Sequence, residues 1–229
     1  MVWWRIRMLE QTMDSLRVLA WLSTAGGAAT ALAIVQEVRV RPQKMGVMNI
    51  VWPITGLYAP LFGYFAYRTL GRPHAEAPGD QKKTTWRSIF LSSTHCGAGC
   101  VIGDVIGSFL ALGLGLTLAG ERMFAEFAVE FAFAYAVGIA FQFFPIRAMR
   151  KLPVRAALVA AVKADTVSLV AFEVGMFGWM ALVALRFGWS FSPTSTVFWL
   201  LMQIGMLIGF ATTYPANWLL IRTGVKIGM

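Results

Sequence analysis

The sequence predicts an all-α integral membrane protein: a bundle of about six transmembrane helices with both termini cytoplasmic. Three observations predict it. Hydrophobic residues make up 58% of the 229 positions and charged residues 14%, with a mean hydropathy of +0.64, whereas a soluble domain carries about a quarter charged residues. The apolar excess is gathered into long uninterrupted blocks, the pattern of membrane-crossing helices. The basic residues fall in the short segments between those blocks, as they do in membrane proteins.

Residues 1–15 read as an interfacial leader, with Trp3 and Trp4 suited to the headgroup region and Arg5 and Arg7 to its wet side. The first apolar run, about 16–35, carries Gly26-Gly27-Ala28-Ala29, a small face for close helix contact. The second, about 46–67, contains Pro53 and Pro60 and is expected to kink. Residues 68–86, rich in Pro, Gly and charge, form a flexible linker. The third run, about 89–119, repeats Gly99, Gly103 and Gly107 at four-residue spacing, a ridge that lets another helix approach closely. Glu121-Arg122 then makes a very short turn into a fourth run, about 123–144, with Glu126 and Glu130 one turn apart. The fifth and sixth runs cover about 156–185 and 196–221. Together they make one transmembrane domain over 16–229.

Six crossings with the N-terminus inside leave fourteen basic residues on the inner side: the leader, the 68–87 and 147–155 segments and the tail. Five lie outside and Lys163 falls within the fifth run. That asymmetry places both termini of this multi-pass protein in the cytoplasm. The net charge of +9 thus reflects topology, and no nucleic-acid partner is expected.

The chemistry concentrates in Thr94-His95-Cys96-Gly97-Ala98-Gly99-Cys100-Val101-Ile102-Gly103-Asp104, which holds both cysteines and one of two histidines. Cys96, Cys100 and Asp104 recur every four residues and lie along one helical stripe, with His95 about 100° to its side. Ionisable groups in hydrocarbon are costly and mark function by default. Thiolates and imidazole favour Cu(I) or Zn(II), so Cys96, Cys100 and His95 are the expected ligands of a copper or zinc ion. Glu130, Asp165 and Glu173 join Asp104 as charge partners or a proton path. Met176/Met180 and Met202/Met206 are i, i+4 pairs that extend a soft-ligand path, although methionines at this spacing commonly serve as packing. At about 1.5 Å per residue, Cys100, Glu130 and Met206 fall roughly 20 Å from the inner helix ends and Asp104, Glu126, Glu173 and Met202 about 26–28 Å. Lys163 snorkels to the interface or pairs with Asp165 or Glu173.

No Walker A, His-Glu-x-x-His or Gly-x-Ser-x-Gly sequence occurs, and adjacent helix residues cannot form a Cys-His nucleophile. The chain is therefore expected not to be an enzyme. His74 sits in the linker, which disfavours bis-histidine haem; a pigment or haem shared at an interface with His95 stays open. Lys163-Ala164-Asp165-Thr166-Val167-Ser168, Phe172-Glu173-Val174-Gly175-Met176, Met202-Gln203-Ile204-Gly205-Met206 and Tyr214-Pro215-Ala216-Asn217-Trp218 accompany the central motif. Over roughly 85–229 the chain resembles a family of prokaryotic polytopic inner-membrane proteins of unknown function, marked by a His-Cys-x-x-Gly-Cys-x-x-Gly-Asp/Glu helix. The resemblance implies a multi-helix membrane protein and no activity. Function then rests on the residues: binding or transport of a soft transition-metal cation. The alternative is an accessory or scaffolding subunit packed against other chains of a larger membrane complex, or a homo-oligomer, within the lipid bilayer.

Overall fold

The computed structural model describes residues 2–72, 86–187 and 192–228, with side chains from Met13 onward. The linker, with His74, falls mostly outside those residues, as do the side chains of the leader's Trp3, Trp4, Arg5 and Arg7. The described residues form seven α-helices and no strand. These are α1 (Val2–Val40), α2 (Met48–Tyr58), α3 (Pro60–Ala66), α4 (Trp86–Leu114), α5 (Arg122–Arg150), α6 (Val154–Phe187) and α7 (Thr196–Arg222). One π turn, Tyr67–Gly71, continues α3. Five of them (α1 from Met13, α4, α5, α6 and α7) are long and apolar enough to cross a membrane. The chain is thus a multi-pass membrane protein. The leader continues α1 without a break.

The expected second crossing is a different object. Its helix breaks at Ala59 (φ −130°, ψ 73°) ahead of Pro60, because a proline cannot accept a helical predecessor or donate its own amide. The result is a reversal, not a kink. A Cβ on Gly63 would sit 2.9 Å from Gly56 Cα, and the Trp52 and Tyr67 rings lie 5.6 Å apart, edge to face. In a continuous helix those pairs would stand about 10 and 22 Å apart. Helix α2 reaches only about 16 Å, roughly half of a hydrocarbon core, before α3 returns beside it. Both ends of this hairpin meet the C-terminal end of α1, where Glu37 accepts hydrogen bonds from Arg68 (2.9 Å) and Arg72 (2.7 Å). Arg87, at the start of α4, donates to the Leu70 carbonyl at the same level (3.0 Å). The small face of α1 receives the hairpin tip, Gly27 lying directly on the Leu57 carbonyl and Gly26 beside Pro60.

The glycine ridge of α4 packs as its spacing predicts. Gly99, Gly103 and Gly107 lie against Gly138, Ala134 and Glu130 of α5, backbone on backbone. Helix α4 is the most enclosed of the long helices. It packs against α5, α6, α7 and the hairpin. Its C-terminal turn differs from expectation. The helix stops at Leu114 because Gly115 adopts φ +59°, a left-handed conformation that suits glycine at a helix end. Residues 115–121 form the connection, closed by a bridge between Leu118 and Glu121. Helix α5 runs on through Pro145 to Arg150, further than the sequence suggests. That moves Glu130 level with Gly107, nearly two turns beyond Cys100.

Candidate functional site

Every residue expected at the site is buried within the bundle. Cys96 and Cys100 belong to one packed cluster with Met176, Met180, Met202, Met206, Phe172 and Tyr58, so two thiols and four thioethers share a single interior region. Both cysteines are free. The hairpin delivers Tyr58: its hydroxyl lies 3.5 Å from where a Gly97 Cβ would stand, and it faces both thiols. Gln203 fixes the hairpin tip, donating to the Leu57 carbonyl (2.9 Å) while accepting from Ser23 of α1 (2.5 Å).

Around these thiols the polar groups form a file. At the end near the C-terminus, Lys226 Nζ donates to Asp165 Oδ1 (2.8 Å) and to Ser168 Oγ (3.3 Å). The Ser168 hydroxyl also lies 3.1 Å from Asp165 Oδ1 and accepts from the Cys96 thiol at 3.6 Å. Cys100 follows one turn on, beside the Glu173 carboxyl. Asp104 is the electrostatic neighbour of Glu173 and Glu130. Ser108 donates to Glu130, and beyond it Arg122 donates to Glu126 (3.4 Å). The file therefore runs the length of α4 and α5.

Charge compensation along it is uneven. Lys226 is 2% exposed and lies outside the spanning helices. Burial opposes its charge, but the Asp165 carboxylate outweighs that cost and holds the ammonium above the ordinary lysine range. Asp104 and Glu173 have no such partner: both carboxyls are buried with no basic group beside them, and the polar neighbour of Glu173 is the Cys100 thiol. Carboxyls in that state need a proton or a cation, since an unpaired buried anion is among the most expensive groups a protein can hold.

His95 lies to the side of the thiol stripe. Its ring packs against Phe141 at 5.9 Å and meets the Phe141 backbone, and its charged neighbours are Asp165 and Lys226. Among the described residues no three His, Cys, Asp or Glu side chains converge as a metal-ligand group. Asp165 pairs with Lys226, not with Lys163, which is exposed on the outer face of α6. Sequence reasoning missed Lys226, Ser168 and Tyr58. A lysine two residues past a helix-ending glycine looks like a solvated tail, and its partner lies 61 residues away. Gly224, at φ +75°, turns the chain back so that the amides of Val225 and Lys226 bond the Leu220 carbonyl (3.0 Å each), and the side chain enters the bundle.

No curated protein and no solved structure matches the chain. A family model, described as a domain of unknown function (DUF4396), matches residues 85–226. The matched region takes in α4 to α7 and ends on Lys226, so it contains the whole polar file while leaving out α1 and the hairpin. The chain belongs to the DUF4396 family.

Proposed function

We propose that this is a bacterial inner-membrane protein that binds a small cation inside its helix bundle and passes it along the buried polar file. The observation that carries this reading is the pair Asp104 and Glu173, buried side by side with no basic group to balance either carboxyl. A scaffold gains nothing from two such groups, whereas a cation or proton arriving between them relieves their cost. The sulfur lining favours a soft ion over a hard one. Cys96 and Cys100 supply thiolates to copper(I) or zinc(II) as cargo, the four methionines line its approach, and Asp104, Glu173 and Glu130 balance its charge. His95 faces Asp165 instead and serves the end of the file near the C-terminus. The accessory-subunit alternative rests on glycine-rich helix faces and nine tryptophans; of those faces, the α4 ridge packs against α5 within this chain.

Orientation follows from the hairpin. With five crossings, the two termini lie on opposite faces. The 39–44, 68–87 and 147–155 segments and the tail then share one face, with fourteen basic residues against five on the other. The positive-inside preference puts that face, with the C-terminus, in the cytoplasm and the N-terminus outside. Both termini would be cytoplasmic only if the second run crossed completely.

Two measurements test the proposal. Detergent-purified protein is analysed for copper and zinc beside a Cys96→Ser/Cys100→Ser variant. Proteoliposomes are then assayed for Cu(I), Zn(II) and proton flux beside an Asp104→Asn/Glu173→Gln variant. Stoichiometric metal lost with the thiols, or flux lost with the carboxyls, supports the reading. Metal-free protein that passes neither metal nor protons sinks it.

A further inference from the structure

We propose that Asp165, Ser168, His95 and Gln142 form a second cation site at the cytoplasmic end of the file. In this structure the chain's own Lys226 ammonium fills it, and a small monovalent cation competes with Lys226 for it. The inference rests on the cation-passage reading above and adds to it an inner site with a tethered occupant.

The geometry is that of a built site rather than a bare ion pair. Lys226 is carried in on the tail after α7, and its side chain is fully enclosed. Its ammonium meets Asp165 Oδ1 and Ser168 Oγ, both on α6, and the Ser168 hydroxyl is held in turn by Asp165 and the Cys96 thiol. Asp165 gives the ammonium one oxygen and keeps another free: its Oδ2 is buried and unpartnered, as is Gln142 Oε1. The His95 imidazole, a charge neighbour of both Asp165 and Lys226, adds one ring lone pair when neutral. They converge from three helices. Gly99 faces Gly138, so the antiparallel register of α4 and α5 places His95 opposite Gln142 one turn away. Asp165 Oδ2 reaches to within 3.4 Å of where a Gly138 Cβ would stand. Buried acceptors left idle are costly, and together they offer a free cation with its own hydrogens, or one that has lost its water, the contacts that a lysine tethered from one side cannot complete.

The tail suits a displaceable occupant. It hangs on one turn of backbone hydrogen bonds to the Leu220 carbonyl and on the close seat of Gly228 against Ser88, and Val225 and Ile227 on either side of Lys226 are exposed. A cation entering from the cytoplasmic side exchanges one positive charge for another at Asp165, so the carboxylate is never left bare. Lys226 leaves to water as the ion passes toward Cys96.

Chemical rescue tests this in the full-length protein. Lys226→Ala removes the tethered ammonium and leaves its space. Its melting temperature in detergent is read with ammonium, methylammonium or tetramethylammonium chloride at equal ionic strength. The expected result is a saturable upward shift with the two small ions, none with tetramethylammonium, and none for Asp165→Asn/Lys226→Ala. In the wild type potassium, a small monovalent cation that does not consume the reagent, should speed modification of Lys226 by an amine-reactive reagent relative to tetramethylammonium, read on its own peptide. A Lys226→Ala protein indifferent to ammonium and methylammonium, or equally responsive without Asp165, overturns the site. If that variant does not accumulate, wild-type labelling decides: unchanged Lys226 reactivity overturns it. Flux lost in Asp104→Asn/Glu173→Gln beside an unresponsive Lys226→Ala rejects the inner site alone. A responsive Lys226→Ala in a protein that passes no cation rejects the passage reading alone.

Discussion

Gly103→Ala is the substitution whose cost the structure specifies most directly. A Cβ there would fall inside contact distance of Ala134 N, Ala134 Cα and the Phe133 carbonyl carbon. All three are backbone atoms, so no side chain can swing aside and α5 as a whole must retreat. Overpacking of this kind costs about 1–3 kcal/mol. Replacing glycine by alanine in a helix returns up to about 1 kcal/mol of backbone entropy. Retreat of α5 also draws Glu130 away from the Ser108 hydroxyl, a loss of about 1 kcal/mol for a buried hydrogen bond. The net expectation is destabilisation by about 1–3 kcal/mol from these terms. Two controls share the chemistry without the clash. At Gly99 the new methyl would stand 3.1 Å from Gly138 Cα, a contact that a shift of a few tenths of an ångström relieves, so Gly99→Ala should fall near neutral. Gly178, in α6, has nothing within 4 Å, so Gly178→Ala should stabilise by up to about 1 kcal/mol. The assay is thermal unfolding in one detergent, followed by a thiol-reactive dye that reports release of the buried Cys96 and Cys100. A Gly103→Ala protein that melts with or above Gly178→Ala would refute the close approach of α4 and α5 on which the file depends.

Other expectations follow from the hairpin and the ion pair. In a Cys96→Ser/Cys100→Ser background, single cysteines at Lys44 and Lys151 should react with an impermeant maleimide from one face of the membrane and a cysteine at Leu116 from the other; Lys44 and Leu116 labelled together would restore a full second crossing. Lys226→Met leaves Asp165 buried without its partner and should cost about 3–5 kcal/mol, with Lys226→Met/Asp165→Asn milder; equal losses in denaturant titrations would mean that the pair is not ionised. Because its ammonium titrates above the ordinary lysine range, the lysine's contribution holds through neutral pH and is lost only as pH rises through that elevated value. Glu37→Gln should cost only about 1 kcal/mol or less, since Arg68 and Arg72 are 41% and 26% exposed. The cost should shrink further in high salt, as melting at two ionic strengths would show. Tyr58→Ala should open the hairpin tip and raise reactivity of the two buried thiols toward a permeant maleimide.

Much of the architecture was legible from local signals. Long apolar blocks require backbone groups satisfied within each segment, and only helices do that inside hydrocarbon. The boundaries of α6 and α7 fall within two residues of the runs that predict them. The four-residue glycine repeat marks a close helix contact wherever its partner lies, and the periodic stripe of Cys96, Cys100 and Asp104 is a property of one helix. The same composition misled at residues 46–67. A run of twenty-odd apolar residues reads as a crossing, and whether Pro60 bends it or reverses it depends on what lies beside it.

By itself, then, the sequence determined an all-helical membrane chain, its buried thiols and acids, and the face along which α4 is approached. These follow from hydropathy and periodicity, which act over neighbouring residues. Only the tertiary structure decided that the second run turns back on the small face of α1 and Gln203, and that Glu130 meets Ser108. It also decided that Asp165 is neutralised by Lys226, 61 residues on, while Asp104 and Glu173 are left without a basic partner. Those outcomes depend on which groups share a low-dielectric interior, where pairing settles whether a charge can stay, and no stretch of chain carries that information alone.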